Sequence, residues 1–226
     1  IKGIYGVVKR EGIRTVAFVA GGDCSNAQAL GEVLRDDGVN VVPFRFPGER
    51  DVASLRREIE VFAEAWETTA AAAEEVYLSL ATTRALLRQL DDLTWQEGAR
   101  VAGRENFAWL VSSSDFGGDP TAFHSRLSSF LDEARRRPPR RLSCRLALVG
   151  VPPIVGDLFE VCEELGAAII FNEVPRQFSL PRGDSLAAAY TAYTYPYDVR
   201  SRCADIIREV RRRAVAGVVH YVQSFC

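Results

Sequence analysis

The stretch Gly217-Val-Val-His-Tyr-Val-Gln-Ser-Phe-Cys226 constrains the fold more than any other. It is a short apolar run, rich in β-branched and aromatic residues. Such a run reads as a buried strand of a parallel sheet, because strands covered on both faces lose the in-out alternation. Thr15-Val-Ala-Phe-Val-Ala20 has the same character and runs into Gly21-Gly22-Asp23-Cys24. Two core strands therefore each lead to a cysteine. In open α/β sheets, ligands sit beyond the carboxyl ends of the strands, so Cys24 and Cys226 stand where chemistry is expected.

The segments between these strands complete an α/β pattern. A first strand over 13–22 is followed by a helix from Ser25 to Asp37, with Ala27, Leu30, Val33 and Leu34 at helical spacing and Gly38 as its stop. Val39 to Phe44 reads as the next strand, giving a βαβ unit. The middle is helical: Val52–Trp66 behind an Asp51 cap, Thr69 to about Leu93, Glu97–Leu110, and Pro120–Arg137 behind Asp119. A second unit follows, with strands at 144–150 and 167–171, helices at 156–165 and 199–213, and the closing strand. The fold class is α/β: two related lobes with parallel sheets around a helical insert.

Arg135-Arg-Arg-Pro-Pro-Arg-Arg141 is the strongest punctuation, since two prolines in a basic run favour an extended linker. The expected domains are thus 1–137, an amino-terminal α/β lobe with its insert, and 138–226, the start of a carboxyl-terminal lobe. A strand closing the sequence without a covering helix predicts a second lobe that is cut short.

Composition narrows the function classes. With a formal net charge of −2, the chain offers no bulk electrostatic attraction to nucleic acid or an anionic membrane. No apolar run approaches the roughly 20 residues that a spanning helix needs. Five irregularly spaced cysteines do not form a secreted disulfide framework and fit a reducing, cytoplasmic compartment. There is neither a dinucleotide G-x-G-x-x-G nor a phosphate-binding G-x-x-x-x-G-K-[ST].

Thiolates favour iron–sulfur clusters or zinc, which makes Cys24 and Cys226 candidate metal ligands; the plain alternative is two structural thiols. Cys144, Cys162 and Cys203 read as core residues. His220, inside the closing strand, reads as a core or interface histidine, and His124 has no partner pattern. Glu173, with Asn172, lies just past a strand, and Ser224 lies just before Cys226. Tyr190-Thr-Ala-Tyr-Thr-Tyr-Pro-Tyr197 is dense in aromatic hydroxyls and reads as a loop packed on the core.

Several segments together resemble the D-component family of 2-hydroxyacyl-CoA dehydratases and benzoyl-CoA reductases: Gly21-Gly-Asp-Cys-Ser-Asn26, Gly150-Val-Pro-Pro-Ile154, Asn172-Glu-Val-Pro-Arg-Gln-Phe178, Tyr193-Thr-Tyr-Pro-Tyr197 and, most specifically, Gly217 to Cys226. The resemblance implies two flavodoxin-like lobes holding a 4Fe–4S cluster through strand-end cysteines, here Cys24 and Cys226. It implies a homologous second subunit or a homodimer, a separate ATP-dependent iron–sulfur activator, and an acyl-CoA substrate with Glu173 and Ser224 nearby. The implied role is an electron-transfer subunit of a radical dehydratase or reductase. The family uses three cysteines per cluster, and no third strand-end cysteine is present here. Two other readings stand beside it: a non-catalytic two-lobe binding or regulatory module without a cluster, and a double-cubane reductase of small molecules, which needs further cysteines.

Overall fold

The computed structural model describes residues 1–21, 25–96, 98–179, 182–194 and 198–222. In chain order the elements are α1 (Lys2–Arg10), β1 (Thr15–Gly21), α2 (Ser25–Asp36), β2 (Asn40–Arg45), α3 (Val52–Glu64), α4 (Ala70–Ser79), α5 (Ala81–Trp95), α6 (Gly103–Ser112), α7 (Pro120–Arg136), β3 (Cys144–Gly150), α8 (Leu158–Glu164), β4 (Ala167–Asn172), α9 (Glu173–Phe178), α10 (Leu186–Thr191), α11 (Val199–Arg212) and β5 (Gly217–Tyr221), with a 3-10 turn at Phe116–Gly118. This is the expected α/β class, with parallel sheets.

The chain divides into two compact units: residues 1–77 with 182–198, and residues 78–181 with 199–226. The Arg135–Arg141 segment, expected as a linker between lobes at 137/138, lies inside the second unit. It is tied down there. The Arg140 N–H donates to the Ala99 carbonyl at 3.0 Å, and the Arg137 guanidinium pairs with Glu105 at 2.9 Å while covering the Phe130 ring.

In the first unit β1 and β2 pair in parallel, with Val16 beside Val41 and Val19 beside Phe44. Alternate side chains of a strand point to opposite faces. One face buries Val41 with Leu34 of α2 and Val8 of α1. The other puts Phe44 with Leu55 and Ile59 of α3 and Ala187 of α10. The helix α1 was not expected from sequence, because Gly3 and Gly6 lower its propensity; Tyr5 and Val8 hold it by packing. Asp51 caps α3 as expected, accepting from the Ser54 N–H at 2.7 Å. Tyr190 and Tyr193 pack against Phe46, so the part of the tyrosine-rich stretch described here is core packing. Residues 195–197 lie outside the described residues.

In the second unit the parallel sheet has the order β4-β3-β5. One face buries Leu148 and Ile169 against Phe159 of α8. The other buries Ala147, Val149 and Phe171 against Ile206 and Val210 of α11. A separate helical core joins Leu87 and Leu90 of α5, Leu110 of α6, and Phe123, Leu127 and Leu131 of α7. Asp119 caps α7, accepting from the Ala122 N–H at 2.9 Å. The single helix expected over 69–93 breaks at Leu80, and the one expected from 97 starts at Gly103. There Glu105 reaches back to accept from the Ala102 N–H at 2.9 Å, fixing the later start.

Candidate functional site at the carboxyl edge of the three-stranded sheet

From β3 the chain passes through α8 to β4 on one side; through α11 it returns to β5 on the other side of β3. The order therefore reverses between β3 and β5. A crevice opens at such a reversal, beyond the carboxyl ends of the strands, and is where open α/β sheets bind ligands. The residues there are Gly150 and the loop 151–157 after β3, Glu173 at the end of β4, and Tyr221 at the end of β5.

Glu173 organises this edge. It is 2% exposed, although it carries a charge. Its Oε2 accepts the Gly150 N–H at 2.8 Å and the Arg202 Nη2–H at 2.8 Å, while Oε1 accepts from Arg202 Nε. Two oxygens facing a guanidinium fork form a bidentate pair, the strongest class of protein hydrogen bond. Burial of the carboxylate is tolerable only because it is paired in this way. Gly150 has φ +97, and the Val151 N–H donates to the Tyr221 carbonyl at 3.2 Å. Glu173 thus ties the end of β4 to the end of β3, which is tied in turn to the end of β5. The Tyr221 hydroxyl, 3.5 Å from the Ile154 N–H, closes the loop side of the edge.

A line of buried acids continues from Glu173 along α11. Asp205 is 3% exposed and Glu209 4%. Asp205 pairs with Arg176 and Arg208. Glu209 accepts from Arg212 Nη2 at 2.7 Å and Arg213 Nε at 3.0 Å. Arg213 is fully buried, gives Nη1–H to Asp91 Oδ1 at 3.0 Å and to the Ile170 carbonyl at 3.1 Å, and lies over the Phe171 and Trp95 rings. Asn106 also donates to Asp91, at 3.2 Å, and Asn172 donates to Asn106 at 2.8 Å. This network was not read from the sequence, where the arginines ending this helix suit the negative end of its dipole. The helical spacing of Cys203, Ile206, Ile207 and Val210 predicts one apolar face for α11, and the structure corrects it. Ile206 and Val210 do pack inward, but Cys203 and Ile207 are exposed and the buried residues are acids.

Burial alone would raise the Glu209 carboxyl, but the Arg212 hydrogen bond and the Arg176 and Arg213 charges outweigh it and hold it at about 2, against 4.5 ordinarily. A depressed acid stabilises the fold above its unfolded value and loses that contribution as pH falls through its folded one. The native state should therefore lose on the order of 3 kcal/mol through this group between pH 4.5 and about 2. Urea titrations across that window should show a shallower acid dependence in Glu209→Gln; an unchanged slope would remove Glu209 from the account.

The expected site residues fall as follows. Glu173 lies at the carboxyl edge of the sheet, as expected. Cys24, Cys226 and Ser224 lie outside the described residues, directly beyond segments that lead from β1 and β5. His220 is exposed, not in the core: β5 is an edge strand whose alternation turns Val218 and His220 outward. His124 does have a partner, with Nδ1 2.9 Å from the Thr83 hydroxyl. Cys144 and Cys162 are half-buried; burial and the Glu163 charge push the Cys162 thiol up. None of the three described cysteines stands at a strand's carboxyl end: Cys144 opens β3, Cys162 lies on α8 and Cys203 on α11. Among the described residues no group of three or more His, Cys, Asp or Glu side chains suits a metal ion. The described residues by themselves therefore do not make up the ligand set of an iron–sulfur cluster. No helix among them is long and apolar enough to cross a membrane.

A search among curated proteins finds no significant match. The family model for the D-component of 2-hydroxyglutaryl-CoA dehydratase matches residues 1–226, the whole chain, and the chain belongs to that family.

Proposed function

We propose that this protein is the iron–sulfur electron-transfer subunit of a radical acyl-CoA dehydratase or reductase, with Cys24 and Cys226 holding a 4Fe–4S cluster. The observation that carries this reading is the family match over the whole chain. The reversal of strand order beside β5, the strand that leads toward Cys226, supports it. A bound cluster would supply one-electron chemistry that no side chain offers. The contribution of the chain's own residues is positional: Glu173, Gly150 and Arg202 fix the strand ends from which the site is built. Glu173 and Ser224 are proposed to lie near the substrate. The sequence has no phosphate-binding loop, so ATP-dependent activation falls to a separate iron–sulfur partner, and a homologous subunit or a second copy completes the assembly. The proposed location is the cytoplasm.

Anaerobic purification with iron and acid-labile sulfide analysis and an EPR spectrum tests the reading. The native protein should carry stoichiometric iron and sulfide, and both Cys24→Ala and Cys226→Ala should lose most of it, while Cys203→Ala keeps it. Full iron retention in both strand-end variants would refute the ligand assignment. Absence of iron under strict anaerobiosis would favour a non-catalytic binding module.

A further inference from the structure

A cavity of about 660 Å³ opens within the first unit, a volume typical of small-molecule sites. Val19, Phe44 and Phe46 line it, so it lies against the carboxyl-terminal half of the β1–β2 pair, the end at which parallel sheets bind ligands. Its walls are aromatic and set at angles to one another. Phe44 stands edge-on to Phe46 and to Phe62, with centroids 5.3 and 5.4 Å apart, and Phe62 meets Trp66 at 65°. These rings present both edges and faces to the space between them, the geometry in which a further ring packs best. None of the described lining residues carries a charge. A charged ligand would lose its hydration there without gaining a partner, whereas apolar cavities take up uncharged aromatics.

We infer that this cavity is a binding site for one uncharged aromatic molecule of one or two rings. The inference is independent of the cluster and of the acyl-CoA reading, since the described lining of the site belongs to residues 1–77 and 182–198. Naphthalene titrated into the protein should quench tryptophan emission saturably through Trp66, and Trp66→Phe should abolish the quenching. Nuclear Overhauser contacts from naphthalene to the Thr68 methyl group should appear in the unaltered chain. Ala73→Phe, which grows a ring into the cavity, should weaken naphthalene binding by about tenfold or more, and benzoate should bind more weakly than toluene by a similar factor. Lack of saturable binding, missing contacts to Thr68, or benzoate equal to toluene would each overturn the inference. None of these readouts involves iron, so failure here leaves the cluster reading to its own test.

Discussion

Arg213→Ala should lower the unfolding free energy by about 3–5 kcal/mol, the range seen when one partner of a buried ion pair is removed. The guanidinium is fully buried and is shared between Asp91 on α5 and Glu209 on α11. Its removal takes from buried Asp91 the guanidinium it pairs with, leaves Glu209 with Arg212 as its remaining hydrogen-bonded cation, and also removes a donor from the Ile170 carbonyl. It further takes away the cation that lies 4.9 Å from the Phe171 ring centre and 5.4 Å from that of Trp95. Arg213→Lys should rescue little, because one ammonium cannot reproduce a fork that serves Asp91, Glu209 and a carbonyl in fixed directions. Urea unfolding of the three proteins measures this. A loss below about 1 kcal/mol in Arg213→Ala would mean that the pair is solvated like a surface bridge.

Gly150→Ala has the second largest expected effect, and it acts at the candidate site. Gly150 has φ +97, where an L side chain is strained. The added Cβ would fall 2.1 Å from the Tyr221 carbonyl oxygen, which is backbone and cannot swing away. Relief requires β3 and β5 to part at their carboxyl ends, breaking the Val151 to Tyr221 hydrogen bond. Gly166→Ala is the control: its φ is +80, yet nothing lies within 4 Å of the new Cβ. The control should cost about 1–2 kcal/mol of conformational strain, and Gly150→Ala about 2 kcal/mol more, since overpacking adds its own penalty. Hydrogen exchange would localise the difference. In Gly150→Ala the amides of residues 217–221 should lose protection, whereas in Gly166→Ala they should not. Equal costs for the two variants would show that the strand ends are not tightly joined.

These two residues mark how unevenly the sequence displayed the protein. Gly150 sits in a segment, Gly150-Val-Pro-Pro-Ile154, that is among those carrying the family resemblance. Its carboxylate partner Glu173 was singled out too, as a residue just past the next strand. Their hydrogen bond was not legible, because the register of β3 against β4 brings together residues 23 positions apart. The burial of Arg213 was not legible. Arginine and glutamate are almost never fully buried unless paired, so nothing in a run of arginines closing a helix marks one of them as buried. The partner that reverses this, Asp91, lies 122 residues earlier in a helix that carries no mark of it.

The sequence by itself determined what short-range rules govern: the α/β class, the strands among the described residues, the caps at Asp51 and Asp119, and the family motifs. Side-chain periodicity and capping are local, and each is written within a few consecutive residues. Only the tertiary structure decided that residues 182–198 fold with 1–77, that α1 exists, that the helix after Thr69 breaks at Leu80, and that α11 buries acids while exposing Cys203 and Ile207. Each of these depends on partners supplied from far along the chain. Burial of a charge is favourable or ruinous according to what stands opposite it, and no local pattern records that.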